Sequence, residues 1–489
     1  MKNREQNQPA TLIHAIRLLY GLIILLFISA TALAQQLLVS PYLQPGNASS
    51  LSKEEKVLIW QTDSVPGIYK VEFTTGTFAN NSKPSVAKVS VAKLFLNKKT
   101  TLLYRAKLVN LKFDEQYTYR VSLQERIISE NTFASRSKLP STRFAVFGDC
   151  GGGTPDQAQI AYQVYQQKPQ FVLITGDVVY QDGLENEYRK NFFPYFLASE
   201  ASPDKGAPLM NSIPFYPVLG NHDVHGADLD KHPEGLAYFY YADLPTNAPT
   251  PEFTVKVSGN AERVKAFKKN AGTRFPRIAN FSYDYGNVHF ICLDANYYVN
   301  PLDPTLVEWI KRDLKYSKAD WKIAAFHHPG FNSSKAHYND QQMRLLSRVF
   351  EELGVDLVLA GHVHNYQRSV PLKFSPKKNA DGTQYIISPE GRVDGTFVLD
   401  HEFDGQTKTT PKGIIYIVTG AGGAPLFDPQ LSDKPDSWQH YLPENWEPFT
   451  VKLIANKHSF TMIETTGKKL NLKQLDASGA VLDEITVTK

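Results

Sequence analysis

The sequence predicts an α/β domain preceded by a smaller all-β sandwich, and three observations carry that expectation. From about Gln35 to Leu139, short runs alternate apolar and polar residues between polar turns, the pattern of half-buried antiparallel strands. From Thr142 onward, apolar strand-like runs alternate with helical patterns, which implies a largely parallel sheet. Five of those runs end in Asp, Asn or His beside Gly or Pro: Phe144–Phe147 into Gly148-Asp149, Phe171–Ile174 into Gly176-Asp177, Tyr216–Leu219 into Gly220-Asn221-His222-Asp223, Ile323–Ala325 into Phe326-His327-His328-Pro329, and Leu357–Ala360 into Gly361-His362-Val363-His364. Ligands of open α/β sheets bind in the crevice beyond the carboxyl ends of the strands. Core packing does not explain such a repetition.

The 489 residues suffice for two or three domains and a large core. A formal charge of +4 is small for this length and no long Lys/Arg block occurs, so neither nucleic acid nor an anionic membrane is expected as a partner. Two cysteines, Cys150 and Cys292, cannot build a disulfide framework and read as buried free thiols. Residues 1–34 have the order of a secretory signal. Lys2, Arg4 and Arg17 precede or open an apolar run, Leu18–Ile28, too short to span a bilayer comfortably, and Ala32-Leu33-Ala34 fits the cleavage pattern. The expected product is secreted or periplasmic, with no membrane association once the signal is cleaved.

Taken in order, residues 35–140 form the sandwich, with strands at Lys56–Trp60, Tyr69–Phe73 and Tyr117–Val121 and a buried Trp60. The polar stretch Ser135–Pro140 marks its end. Residues 141–489 form the second domain, closed by a C-terminal β segment. Its first helix starts at Thr154-Pro155-Asp156-Gln157, a capping Thr followed by Pro, with Ile160, Ala161, Val164 and Tyr165 on one face. Further helices are expected over about Asn186–Phe196, from Asp303-Pro304 with Val307, Ile310 and Leu314 inward, and over Asp340–Leu353. Residues 225–280 are a poorly periodic insertion that could shape a substrate cleft but reads by default as surface decoration. The runs Ile414–Val418, Phe449–Leu453 and Ser459–Ile463 return to strand character as the far side of a sandwich sheet.

At the strand ends, Asp149, Asp177, Tyr180, Asn221, His327, His362 and His364 provide seven oxygen or nitrogen donors. That is too many for one ion with an open position and about right for two, with oxygens suiting hard ions and imidazoles suiting Zn or Fe. Two ions about 3.5–4 Å apart can hold a phosphoryl group and activate water against it.

At these residues the chain resembles the metallophosphoesterases of the calcineurin-like superfamily, and within them the purple acid phosphatases. The matching pieces are Gly148-Asp149-Cys150-Gly151, Gly176-Asp177-Val178-Val179-Tyr180, Gly220-Asn221-His222-Asp223, Ala324-Ala325-Phe326-His327, Gly361-His362-Val363-His364 and Gly420-Ala421-Gly422-Gly423. The resemblance implies a two-sheet metallophosphoesterase sandwich with flanking helices. The preceding sandwich, with Trp60 and a Leu111…Tyr117-x-Tyr119 corner, is similar to fibronectin type III domains. It further implies that Asp149, Tyr180 and His364 hold one metal, Asn221, His327 and His362 a second, and that Asp177 bridges them. A phenolate from Tyr180 would favour Fe(III), paired with a divalent Fe, Zn or Mn ion. His222 would touch the phosphate, Asp223 would orient its ring, and His337 stands where relatives keep a leaving-group acid. His328 could contact substrate or only pack, and His225 and His232 read as incidental. Ala324 departs from the aliphatic residue usual three positions before the second-metal histidine. The resulting expectation is an exported binuclear phosphatase that cleaves phosphate monoesters by metal-hydroxide attack. The alternatives are a phosphodiesterase or nucleotide hydrolase on the same scaffold, or a non-catalytic phosphate-binding surface protein.

Overall fold

The computed structural model of the chain describes residues 35–80, 83–427 and 446–489, so the expected signal over 1–34 lies outside the described residues. The first part is a sandwich of two four-stranded antiparallel sheets. One sheet runs Leu37–Gln44, Lys56–Thr62, Lys99–Leu108, Val89–Leu96; the other runs Ser85–Ala87, Tyr69–Thr75, Gln116–Leu123, Arg126–Ala134. Trp60 is fully buried between them, its ring 5.3 Å from that of Tyr104 and nearly parallel to it. The Tyr117 hydroxyl accepts the Lys112 amide at 2.8 Å, which fixes the turn before its strand.

The second part packs two mixed sheets face to face. A six-stranded sheet runs Phe215–Pro217, Phe171–Ile174, Ser141–Phe147, Ser459–Thr466, Lys469–Asp476, Val481–Thr488. A seven-stranded sheet runs Phe281–Tyr285, Val288–Leu293, Trp321–Phe326, Leu357–Ala360, Ile415–Thr419, Tyr366–Ser369, Thr450–Ile454. Their inner faces meet through aromatic rings: Phe290 stands edge-on to Phe144 at 5.1 Å and to Phe171 at 5.5 Å. The C-terminal runs are therefore divided, Ser459–Thr466 pairing with Ser141–Phe147 and the other two joining the seven-stranded sheet. Both free cysteines are buried.

Helices cover the outer faces. Thr154 caps Pro155–Gln166 by accepting the Gln157 amide at 3.2 Å, and Ile160, Ala161 and Val164 are buried, whereas Tyr165 turns outward. Asp303 caps Pro304–Tyr316, but the buried stripe is Leu306, Trp309, Ile310 and Leu314, with Val307 only half-buried at its margin. The expected helix over Asn186–Phe196 is Glu185–Phe196 with a π turn at Tyr188–Phe192. The expected helix Asp340–Leu353 is instead a 3-10 turn, Gln342–Leu346, followed by Ser347–Glu352. Its would-be cap Asp340 spends its carboxylate on His337, His362 and Tyr297. Among the described residues, no helix is long and apolar enough to cross a membrane.

The insertion 225–280 is not surface decoration. Leu236 through Ala242 are buried, and this segment joins the first sandwich to the two mixed sheets. The Tyr42 hydroxyl donates to the Tyr241 carbonyl at 2.8 Å, while the Tyr241 hydroxyl donates to Gln61, whose amide donates to Glu185 at 2.8 Å.

On the outer side of the seven-stranded sheet, His289 lies between two carboxylates, with Nδ1 at 2.7 Å from Asp284 and Nε2 at 2.8 Å from Asp313. Burial disfavours its charged form, but Asp284 and Asp313 more than offset that and push it up to about 9. A His whose folded value exceeds its unfolded one of about 6.5 stabilises the fold fully below 6.5 and loses that contribution as pH rises through 9. The stability difference between wild type and His289→Asn in urea titrations is expected to shrink by about 3 kcal/mol between pH 6 and pH 10. A difference independent of pH would remove the charge from His289.

Candidate metal centre

Each of the five strand ends delivers its side chains to one point, because the parallel strands of both sheets run the same way and stop at the same edge. Turning those side chains inward takes unusual backbone. Asp149 (φ 58°), Asp177 (φ 48°) and His362 (φ 67°) all lie in the left-handed region, where non-glycine residues are uncommon and which concentrates at functional sites. The adjacent glycines admit the donors themselves. A Cβ on Gly176 would sit 2.4 Å from His327 Nδ1, and one on Gly361 2.6 Å from Asp149 Oδ2.

The donors form two groups. In the first, the Tyr180 hydroxyl is 3.1 Å from Asp149 Oδ1 and 3.1 Å from His364 Nε2, and His364 Nε2 is 3.5 Å from Asp149 Oδ1. The second group is centred on His327, whose Nε2 is 3.0 Å from Asn221 Oδ1 and 3.1 Å from His362 Nδ1. Asp177 Oδ2 stands 3.3 Å from the same His327 nitrogen, and Asp149, Asp177 and His327 offer ligand atoms within 4.8 Å of one another, so Asp177 lies between the groups. With metal–ligand bonds of about 2.0–2.2 Å, neighbouring donors around one cation lie roughly 3.0–3.5 Å apart, which is the spacing found here.

The histidines are held in defined tautomers. His327 Nδ1 meets the Thr175 carbonyl at 2.8 Å and His364 Nδ1 the Pro425 carbonyl at 2.6 Å. A carbonyl only accepts, so both rings carry hydrogen on Nδ1 and turn the Nε2 lone pair to the centre. His362 is reversed: Nε2 meets Asp340 at 3.2 Å and Nδ1 faces the centre.

The electrostatics suit a cation. Burial disfavours charge on His327, yet Asp177, Asp149 and the Thr175 carbonyl push it up to about 9. Burial also raises the Asp177 carboxyl, but His327, His222 and His362 outweigh it and hold it below the usual carboxylate range. Tyr180 is pushed well above the usual phenol value by burial and by Asp149 and Asp177, and burial with His327 and His337 brings His362 down to about 4. The two carboxylates thus call for positive charge at the point where the neutral donors converge.

Of the remaining predicted residues, His222 has Nδ1 at 2.7 Å from the Gln181 carbonyl, and its Nε2 is 4.0 Å from Asp177 Oδ2. Asp223 does not reach the His222 ring. Its carboxylate accepts the Gly220 amide at 2.9 Å and the Val178 amide at 3.1 Å, clipping the two loops that carry Asn221 and Asp177. Burial and Asp177 push Asp223 up to about 8, against the two amide hydrogen bonds that favour its charged form. His337 is brought to the site, its ring 3.8 Å from that of His362, in a cleft of about 560 Å3 also lined by Tyr180, Asn221, His222, His364 and Phe427. A larger hollow of about 680 Å3 on the first sandwich, beside Val86, Lys107 and Tyr117, contains none of these donors. His328 is fully buried against His362, and neither ring nitrogen has a hydrogen-bond partner among the described residues.

Residues not foreseen are Asp340, Tyr297 and Phe427. Phe427 lies flat on His364 at 4.2 Å, and the Tyr297 hydroxyl donates to Asp340 at 2.7 Å. Sequence offered one hint, the His337-x-x-Asp340 spacing, which reads equally as a loop before a helix cap.

Residues 142–366 match the Calcineurin-like phosphoesterase family. Purple acid phosphatase 23 of Arabidopsis thaliana is 26% identical over 345 residues, covering 62% of this chain and 66% of the relative. Purple acid phosphatase 15 of the same plant is 25% identical over 334 residues, covering 63% and 57%. The chain thus spans somewhat under two thirds of the length of these relatives. The solved purple acid phosphatase PPD1 from yellow lupin (Lupinus luteus) seeds superposes with a TM-score of 0.59 at 16% identity, covering 92% of this chain and 74% of that one, which shows a common fold.

Proposed function

We propose that the protein is an exported binuclear metallophosphatase that hydrolyses phosphate monoesters. The observation that carries this is the convergence of six donors in two groups of three, spaced 3.0–3.5 Å, with Asp177 as the seventh between them. Asp149, Tyr180 and His364 would hold Fe(III), Asn221, His327 and His362 a divalent Fe, Zn or Mn ion, and Asp177 would bridge them. When bound, such a pair neutralises phosphoryl oxygens and supplies an activated water. The chain's own residues do the rest. His222, its Nδ1 fixed on the Gln181 carbonyl, presents Nε2 to a phosphoryl oxygen. His337, in the same cleft, hands a proton to the leaving oxygen. Asp223 would hold the loops that carry Asn221 and Asp177. The order of charged, apolar and small residues in 1–34 supports export by signal cleavage, and the Tyr117–Lys112 contact supports a fibronectin III-like character for the first sandwich.

The test is metal analysis of the purified protein beside paired assays on 4-nitrophenyl phosphate and bis(4-nitrophenyl) phosphate. Two ions per chain and faster monoester cleavage are expected. Preference for the diester would make it a phosphodiesterase, and two bound ions without hydrolysis a binding protein.

Tyr180 carries the finer assignment. If its oxygen ligates ferric iron, the iron-loaded protein absorbs visible light by phenolate-to-iron charge transfer. Tyr180→Phe keeps the ring's volume and removes only the donor, so folding should change little while the colour vanishes. Some hydrolysis should survive on the remaining ligands. A colourless iron-loaded wild type would sink the ferric assignment.

A further inference from the structure

We infer that Asp340 is a shared positioning carboxylate that orients both His362 at the second metal position and His337 at the leaving group, and so couples metal affinity to proton delivery. The inference rests on the phosphatase reading above. One oxygen, Asp340 Oδ2, takes three partners: His362 Nε2 at 3.2 Å, His337 Nδ1 at 3.2 Å and the Tyr297 hydroxyl at 2.7 Å. A carboxylate that accepts from His362 Nε2 fixes hydrogen on that nitrogen and leaves the Nδ1 lone pair toward His327 and the metal position. The same oxygen accepts from His337 Nδ1 and turns that ring's Nε2 outward, away from Asp340. The His337 and His362 rings lie 3.8 Å apart, so neither can rotate without losing the contact with Asp340 or striking the other. Tyr297 closes the cluster: its ring sits 4.8 Å from buried His328, which in turn packs against His362 at 4.2 Å. Asp340 lies three residues beyond a left-handed turn at His337 (φ 57°).

The test combines calorimetric titration of the metal-free full chain with zinc and the kinetics of two esters. In Asp340→Ala, the second zinc equivalent should bind about 10–100-fold more weakly while the first is retained, as expected for loss of an outer partner of a metal-bound histidine. At saturating zinc, kcat for glycerol 2-phosphate, whose leaving group needs a proton, should fall further than kcat for 4-nitrophenyl phosphate, whose leaving group does not. The Asp340→Ala/His337→Ala double variant should show the same leaving-group ratio as His337→Ala alone, because both act through one proton. A residue that only holds the fold would lower both esters equally. Asp340→Asn, which keeps the size and one acceptor oxygen, supplies the same comparisons if the alanine variant does not fold. Weaker zinc binding with an unchanged leaving-group ratio, or the reverse, overturns the coupling. A third zinc equivalent in the wild type that Asp340→Ala removes would also overturn it, since Asp340 would then be a ligand. A wild type that binds no second zinc or cleaves neither ester refutes the phosphatase reading and the inference with it.

Discussion

Asp177→Asn abolishes hydrolysis and two-metal binding together, and costs more activity than His337→Ala. Asp177 lies between the two groups of donors: its Oδ2 is 3.3 Å from His327 Nε2, and its Oδ1 accepts the His222 amide at 2.9 Å. An amide at this position loses the negative charge and offers a hydrogen-bearing nitrogen where a bridging oxygen is needed. The fold should persist, since Asn tolerates the left-handed backbone of residue 177 (φ 48°) better than most residues. His337, at the rim of the cleft, contributes only proton transfer, an effect of about 10²–10⁴-fold. The measurement is kcat/KM for 4-nitrophenyl phosphate with metal content determined on the same samples. Equal residual activity in the two variants, both fully metallated, would overturn the ranking.

What the chain discloses about this site is local. A strand that stops at a glycine and a ligand is written in four or five consecutive residues, and once the strands are parallel their ends meet without further instruction. That is why Asp149, Asp177, Tyr180, Asn221, His327, His362 and His364 could be named from sequence and are found together. Partners fixed by tertiary contact leave no such mark. Asp340 reads as a helix cap because its use depends on His362 being 22 residues away in sequence yet beside it in space. Asp223 reads as an escort of its neighbour His222, but a carboxylate bonds whichever unpaired amides surround it, and those belong to Gly220 and Val178. The insertion 225–280 looks decorative because its aromatic run pairs with Tyr42, some 199 residues earlier, and irregular segments show no period whatever they pack against.

The joint between the two parts, Ser135–Pro140, is polar in sequence, yet Arg136 within it is only 1% exposed. Its Nε meets Glu54 Oε2 at 2.5 Å, and its terminal nitrogens donate to the carbonyls of Ser49 (3.3 Å), Ser50 (3.0 Å), Lys53 (2.6 Å) and Asp284 (3.0 Å). Asp284 belongs to the edge strand of the seven-stranded sheet, so this guanidinium ties the first sandwich to the catalytic sheets. Burial opposes its charge, and Glu54 more than compensates, keeping it raised. Arg136→Ala takes a donor from four carbonyls, of which that of Ser49 keeps the Asp284 amide at 2.7 Å, and leaves Glu54 with Lys56 and the backbone amide of residue 136. Breaking a buried, hydrogen-bonded charge pair costs about 3–5 kcal/mol, and that loss is expected in urea unfolding. Arg136→Lys should recover only part of it, because an ammonium is a point charge and cannot reach carbonyls on both sides of the joint. A loss below about 1 kcal/mol for the alanine variant, the range of an exposed pair, would show that the joint is open to water.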